Sequence, residues 1–240
     1  MDNIKICDDL VRRMVRAIDK AIAEDIPQYL RENHKETNNA IIQLRGDFIN
    51  DNLRNMVVGD NIEMLPIKRY LWQGRIVVDR KEKITYTITT QSTLSSIPKK
   101  QRNKPHFLQS VLFVENGGYE AIVKQMTLMD MFPFEAEDLE NDYDTIVEGL
   151  LDPSEGYTHY IIAYSAESSI LKDIKIVFLD KDFNIIAEAS LNDYIKVDFS
   201  RITANMPDEY ADNQSVEETK SLLKVKSGLR PKLRDIPEQV

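Results

Sequence analysis

Between residues 84 and 90 the chain reads Ile-Thr-Tyr-Thr-Ile-Thr-Thr, so Ile84, Tyr86 and Ile88 alternate with Thr85, Thr87 and Thr89. A period of two sends successive side chains to opposite faces of a strand. The stretch predicts a strand with one buried face and one wet face, and such a strand needs a sheet around it. The N-terminal quarter has another period. Ile6, Leu10, Met14, Ile18 and Ile22 recur every four residues, and Val11, Val15 and Ala21 widen the stripe. Residues 4–23 therefore predict an amphipathic helix, ended or kinked near Ile26 by Pro27.

A second helix is expected over residues 38–56, with Asn38 as its N-cap and Ile41, Ile42, Leu44, Phe48, Ile49, Leu53 and Met56 as its apolar face. Strands are expected at 68–72, 75–79, 158–164, 175–179 and 184–190. Residues 80–83 should turn a hairpin. Asn116-Gly117-Gly118 signals another hairpin, between an apolar strand at 107–115 and a partner at 119–124. Helix is the rival reading for 107–115, since Pro105 can open one. The methionine-rich stretch 126–134 reads as core filling, with an adaptable partner surface as the alternative. The order of elements does not alternate strand and helix. It predicts an α+β protein: an N-terminal helical pair, then a mostly antiparallel or mixed sheet. A single domain is expected over 1–205, helical over 1–60 and sheet-forming over 66–200. A polar, mobile tail is expected over 206–240, with a short helix near 216–223.

Composition narrows the function classes. The 240 residues are 42% hydrophobic and 30% charged, which suits a globular core. No apolar run approaches a membrane span, and no secretory leader follows the charged N-terminus, so a cytoplasmic protein without membrane contact is expected. The single cysteine, Cys7, excludes an internal disulfide and reads as helix-start filler, or else as a reactive thiol. Phosphate-cradling glycine motifs, a nucleophile elbow and zinc-type histidine spacing are all missing from the sequence. No cofactor is expected. Arg45-Gly46-Asp47 reads as a chance tripeptide.

Two carboxylate patterns could bind a hard cation. Asp47 and Asp51 share a helix face at a spacing of four, where a solvated face is the plainer reading. Asp180, Asp182 and Glu188 form D-x-D-x5-E around an expected hairpin. Magnesium-dependent nucleases hold their metal with such groups, but the lysine that usually follows the glutamate is replaced by Ser190.

The clearest nonrandom feature is charge segregation. Between Lys68 and His106 stand ten cations and two anions, within a chain of net charge −9. Between Glu135 and Glu155 stand nine anions and neither Lys nor Arg. Cations interspersed with Tyr70, Trp72, Tyr86 and Phe107 suit phosphate contact combined with base stacking. Lys99, Lys100, Arg102 and Lys104, together with Arg75 and Trp72, are the candidate nucleic-acid contacts. The competing reading is that the two charged segments pair with each other, within the fold or across a dimer. The acidic run can also be a solvated loop or a phosphate mimic.

Leu44-Arg45-Gly46-Asp47, Trp72-Gln73-Gly74-Arg75 and Pro105-His106-Phe107-Leu108-Gln109 together resemble an uncharacterised family of low-GC Gram-positive bacterial and prophage-borne proteins. The resemblance covers about a third of the chain and brings no activity and no catalytic residue. It implies a bacterial or phage cytoplasm, in the setting of mobile elements and defence. The expectation that follows is a noncatalytic binding or regulatory protein contacting nucleic acid or an acidic protein partner. A divergent magnesium-dependent nuclease or toxin, and a structural subunit acting as a homo-oligomer, are the alternatives.

Overall fold

A computed structural model describes residues 7–34, 36–37, 39–69, 72–100, 102–122 and 134–196. The expected tail, the helix near 216–223, the N-cap Asn38 and most of the methionine-rich stretch lie outside them. Among the described residues six strands form one sheet in sequence order: β1 (Ile62–Arg69), β2 (Trp72–Asp79), β3 (Ile84–Thr90), β4 (Thr158–Glu167), β5 (Ile170–Leu179) and β6 (Ile185–Ser190). All neighbours are antiparallel except β3 and β4, which run parallel. A parallel pair cannot be joined by a hairpin. The connection here carries α4 (Gln91–Ser96), α5 (Phe107–Asn116) and α6 (Ala136–Val147). The fold is therefore α+β with a mixed sheet, as the order of elements implies.

The N-terminal helices α1 (Asp8–Lys20), α2 (Ile26–Glu32) and α3 (Ile41–Met56) precede the sheet. Leu10, Met14, Ile18 and Ile22, the spacing-of-four stripe, are all buried, in one cluster with Tyr86, Tyr160, Ile162, Ile174 and Ile176 of the strands. Cys7 is exposed at the N-cap position of α1. Pro27 does not end the helical run. A π-turn over Ala21–Asp25 shifts the hydrogen-bond register first, so Pro27 falls in the first turn of α2, where its missing N–H costs nothing. Lys20 ties this turn down, donating to Asp25 (2.7 Å) and to Asn52 of α3 (3.1 Å).

Helices α5 and α6 belong to two clusters built on the alternate strand residues, with Val111, Tyr143, Ile146 and Val147 against Ile67, Ile76 and Val78, and Leu108 and Leu112 against Ile161, Ala163 and Val177. The apolar run at 107–115 is thus helix, not the expected central strand. Periodicity cannot separate a buried strand from a buried helix, so the ends decide. His106 caps the first turn, its Nδ1 accepting from the Leu108 N–H (3.2 Å), and the Gln109 side chain reaches back to the His106 N–H. Asn116-Gly117-Gly118 closes this helix instead of turning a hairpin.

The expected strand at 68–72 is divided between β1 and β2, whose pairing reaches Arg69 and Trp72. The hairpin at 80–83 forms as read: Asp79 Oδ1 accepts from the N–H groups of Lys81 and Glu82, both at 3.0 Å, and Lys83 takes a positive φ of 55°. The threonine face of β3 is not wet. Thr85 and Thr87 are buried.

Candidate functional site

Strand β2 pairs with β1 along its whole length, and β3 pairs with β4 along its whole length. Between β2 and β3, however, pairing is confined to Val77–Tyr86, Val78–Thr85 and Asp79–Ile84. Beyond Val77 the sheet splits. A cleft of about 560 Å³ occupies the split, within the range of small-ligand sites. Trp72, Gln73, Gly74 and Arg75 of β2 form one wall, Thr87 and Ile88 of β3 face them, and Ile42, Asp47 and Asn50 of α3 add a third side. At one end a smaller polar recess gathers Asp47, Asn50, Asp51, Arg54, Gln73 and Arg75. The Asp47–Asp51 pair therefore stands among guanidinium groups.

Trp72 marks the mouth. Its indole folds back over Gly74, which needs to lack a side chain for this: a Cβ there would come within 2.4 Å of the ring. The indole also stacks on Phe107, with centroids 5.0 Å apart and planes at 26°. Phe107 in turn meets the His106 ring at 4.7 Å. Despite these contacts Trp72 is 47% exposed, and Ile42 in the same lining is 81% exposed. The Gly74 carbonyl accepts from Arg75 Nη1 (2.9 Å).

The charged segments do meet. Lys68 pairs with Glu148 (3.2 Å), Arg69 with Asp142 (3.1 Å) and Lys83 with Glu155, so three cations of the basic stretch are held by the acidic one. Most of that acidic stretch is the helix α6, not a loop. Arg80 is held by Glu63 (2.9 Å) and by the Tyr157 hydroxyl (2.8 Å). Among the described residues Arg75, Lys99, Lys100 and Arg102 enter no ion pair. Lys99, Lys100 and Lys104 are exposed on the segment before α5. Burial pushes the His106 imidazole down to about 4, and the positive charges of Arg102 and Arg69 push the same way. Arg102 of this segment thus adjoins the aromatic stack.

The carboxylates of D-x-D-x5-E are occupied separately. Asp180 is buried. Its Oδ1 accepts from the N–H groups of Asp182 (2.9 Å) and Asn184 (2.8 Å), and its Oδ2 from Ala121 (3.2 Å). Asp182 is exposed on that turn, and Glu188 pairs with Lys175 across the strands (2.6 Å). Among the described residues no three His, Cys, Asp or Glu side chains gather where they could hold a metal ion.

One constellation escapes a linear reading. Glu115 of α5, Thr85 and Thr87 of β3, His159 of β4 and Tyr143 of α6 form a buried polar chain. Glu115 accepts from the Thr85 hydroxyl through Oε2 and from the Tyr143 hydroxyl (2.9 Å) through Oε1. His159 Nδ1 lies 2.7 Å from Thr85 Oγ1, and its Nε2 lies 2.9 Å from Thr87 Oγ1. Burial pushes the Glu115 carboxyl up to about 7, against the pull of its two hydroxyl donors, and pushes His159 down to about 3. The available signal was the run of alternate threonines, too polar for a core face unless a partner strand supplies a matching polar group.

Among the described residues no helix is long and apolar enough to cross a membrane. No curated protein and no solved structure matches the chain. Residues 3–239 match the sequence model of a protein family described as a family of unknown function (DUF5986).

Proposed function

We propose, for a chain that belongs to the DUF5986 family of unknown function, that it is a noncatalytic binding protein for single-stranded nucleic acid. The observation that carries this reading is Trp72, half exposed in the lining of the split-sheet cleft and stacked on Phe107. A braced, exposed indole offers a π-face on which any base can stack. Arg75 in the cleft, Arg102 beside the stack, and the exposed Lys99 and Lys100 on the same segment supply phosphate contacts. Asn50, Gln73 and Asp47 can hydrogen-bond to base edges or sugars. A duplex hides the faces of its bases, so unpaired strands are the favoured ligand. The bacterial and prophage or defence setting is part of the proposal and rests on the sequence resemblance alone.

The test is binding of labelled single- and double-stranded DNA and RNA at about 50 and 200 mM salt, where phosphate-dominated affinity falls steeply. Single strands should bind best, and Trp72→Ala should weaken them by about 1–3 kcal/mol, the worth of one stacked base. No binding at the lower salt, or full affinity in Trp72→Ala, would remove the reading.

A further inference from the structure

The buried chain from Glu115 ends at Thr87, a buried residue that is also part of the cleft lining. Each link is a hydroxyl or a neutral imidazole, and each of these has one proton to give. A single proton per link means that the direction of one hydrogen bond dictates the next.

With Glu115 ionised, Oε2 can only accept. The Thr85 hydroxyl donates to it and must itself accept from His159 Nδ1–H. A neutral imidazole carries one N–H, so Nε2 is bare and accepts from the Thr87 hydroxyl. Thr87 then offers the cleft only lone pairs. With Glu115 neutral, the Tyr143 hydroxyl still donates to Oε1, so the acid proton sits on Oε2 and donates to Thr85. Thr85 donates to Nδ1, and the imidazole proton moves to Nε2 and donates to Thr87. The Thr87 hydroxyl is then released to donate into the cleft.

We propose that Glu115–Thr85–His159–Thr87 is a reversible hydrogen-bond relay through which protonation of Glu115 converts Thr87 from acceptor to donor at the cleft. The proposal rests on the reading of the cleft as a base-binding site, and it names what that site selects. Ionised Glu115 favours bases presenting an amino group, adenine or cytosine. Neutral Glu115 favours a keto base such as thymine or uracil.

The groups around the relay are compatible with both states. His159 faces Glu115 from β4, with Nδ1 3.7 Å from Oε2, and burial keeps it neutral. Tyr143 faces Glu115 from α6 and remains protonated, its hydroxyl pushed far up by burial and by the carboxylate. Asp144 and Tyr157 act on Tyr143 and strengthen that effect. Asn116 holds β4 in place, donating to the His159 carbonyl (2.9 Å) and accepting from its N–H (2.8 Å), so neither ring nitrogen is diverted.

The test is the tautomer of His159, read from the ring-nitrogen shifts of the ¹⁵N-labelled full chain, with His34 and His106 as internal references. At about pH 8.5 the proton should be on Nδ1 and at about pH 5.5 on Nε2, on either side of the carboxyl titration. Glu115→Gln, whose amide donates permanently to Thr85, should hold Nε2–H at both values. One tautomer throughout in the wild type, or Nδ1–H in Glu115→Gln, would overturn the relay. In parallel, the ratio of oligo(dA) to oligo(dT) affinity should fall roughly tenfold from the higher to the lower pH, the worth of one unmatched hydrogen bond, and should stay constant in Thr87→Val. A tautomer that switches while neither oligonucleotide binds upholds the relay and removes the nucleic-acid reading.

Discussion

The indole of Trp72 lies over Gly74, two residues along the same strand, so closely that a methyl group at residue 74 would stand 2.4 Å from Cη2 and 2.9 Å from Cζ2. Residues two apart share a strand face, and a tryptophan can fold over such a neighbour only if the neighbour has no side chain. Gly74→Ala should therefore lift the ring off the strand and out of its stack on Phe107. Trp72 is the only tryptophan, so intrinsic fluorescence reports on this ring alone. We expect Gly74→Ala to shift the emission to the red with the fold intact by circular dichroism, and single-stranded DNA to quench the wild type more than the variant. An unchanged emission maximum would mean that the ring does not depend on Gly74.

Arg69 and Asp142 form the better shielded of the links between the basic and acidic segments, with side chains 18% and 20% exposed. Asp142 also accepts from the Ser110 hydroxyl (2.6 Å), so one carboxylate joins β1, α5 and α6. Removing one partner of a partly buried pair leaves the other charge short of solvation. Asp142→Ala should cost about 2–3 kcal/mol in urea unfolding, by loss of a charged hydrogen bond and of the counter-charge to the partly buried Arg69. Lys68→Ala should cost under about 0.5 kcal/mol, because the Lys68–Glu148 pair is half exposed on both sides and screened by water. Equal costs for the two substitutions would contradict this ranking.

Much of this architecture is legible before folding. The spacing-of-four stripe of α1, the alternation of β3 and the turn at 80–83 are local patterns, and each appears where the pattern puts it. The helix α5 misleads because Phe107-Leu108-Gln109-Ser110-Val111-Leu112-Phe113-Val114 is apolar enough for either state. What decides it is a cap made by a histidine, an unusual capping residue, and a returning Gln109. The cleft itself is not local. Trp72 and Arg75 stand out in the sequence, but nothing in β2 or β3 announces that their pairing stops at Val77 and Tyr86. Asp47 and Asn50 join them only because α3 lies alongside.

The His106 cap makes a prediction of its own. Its neutral Nδ1 accepts from the Leu108 N–H, and the Gln109 side chain accepts from the His106 N–H. A box of this kind satisfies two of the helix's unpaired donors. His106→Ala should lower stability by about 1 kcal/mol, and His106→Asn, which can still accept, should recover most of that loss. Thermal unfolding of the two variants separates capping from the loss of the ring's contact with Phe107: equal destabilisation in both would assign the effect to the ring.

Glu115 gives the protein a pH dependence of unusual sign for a carboxylate. Its folded pKa stands at about 7, above the ordinary glutamate value of about 4.5, because burial disfavours the charge. A group raised on folding stabilises fully below its unfolded value and loses that contribution as pH rises through the folded one. From Glu115, stability should therefore be greatest below about pH 4.5 and decline until about pH 7, by on the order of 3 kcal/mol. His159 works in the opposite direction. Held down to about 3, it contributes fully above its unfolded value near 6.5 and loses stability as pH falls. His106, pushed down to about 4, acts in the same direction as His159. Between about pH 6.5 and 4.5 the carboxylate thus offsets one of the two imidazoles, and the net curve hides its contribution. Glu115→Gln exposes it, since the other titrating groups cancel in the difference between variant and wild type. The wild type should gain on the variant steadily as pH is lowered from 7 to 4.5 in urea unfolding. A difference that stays constant with pH would mean that Glu115 does not titrate in this window.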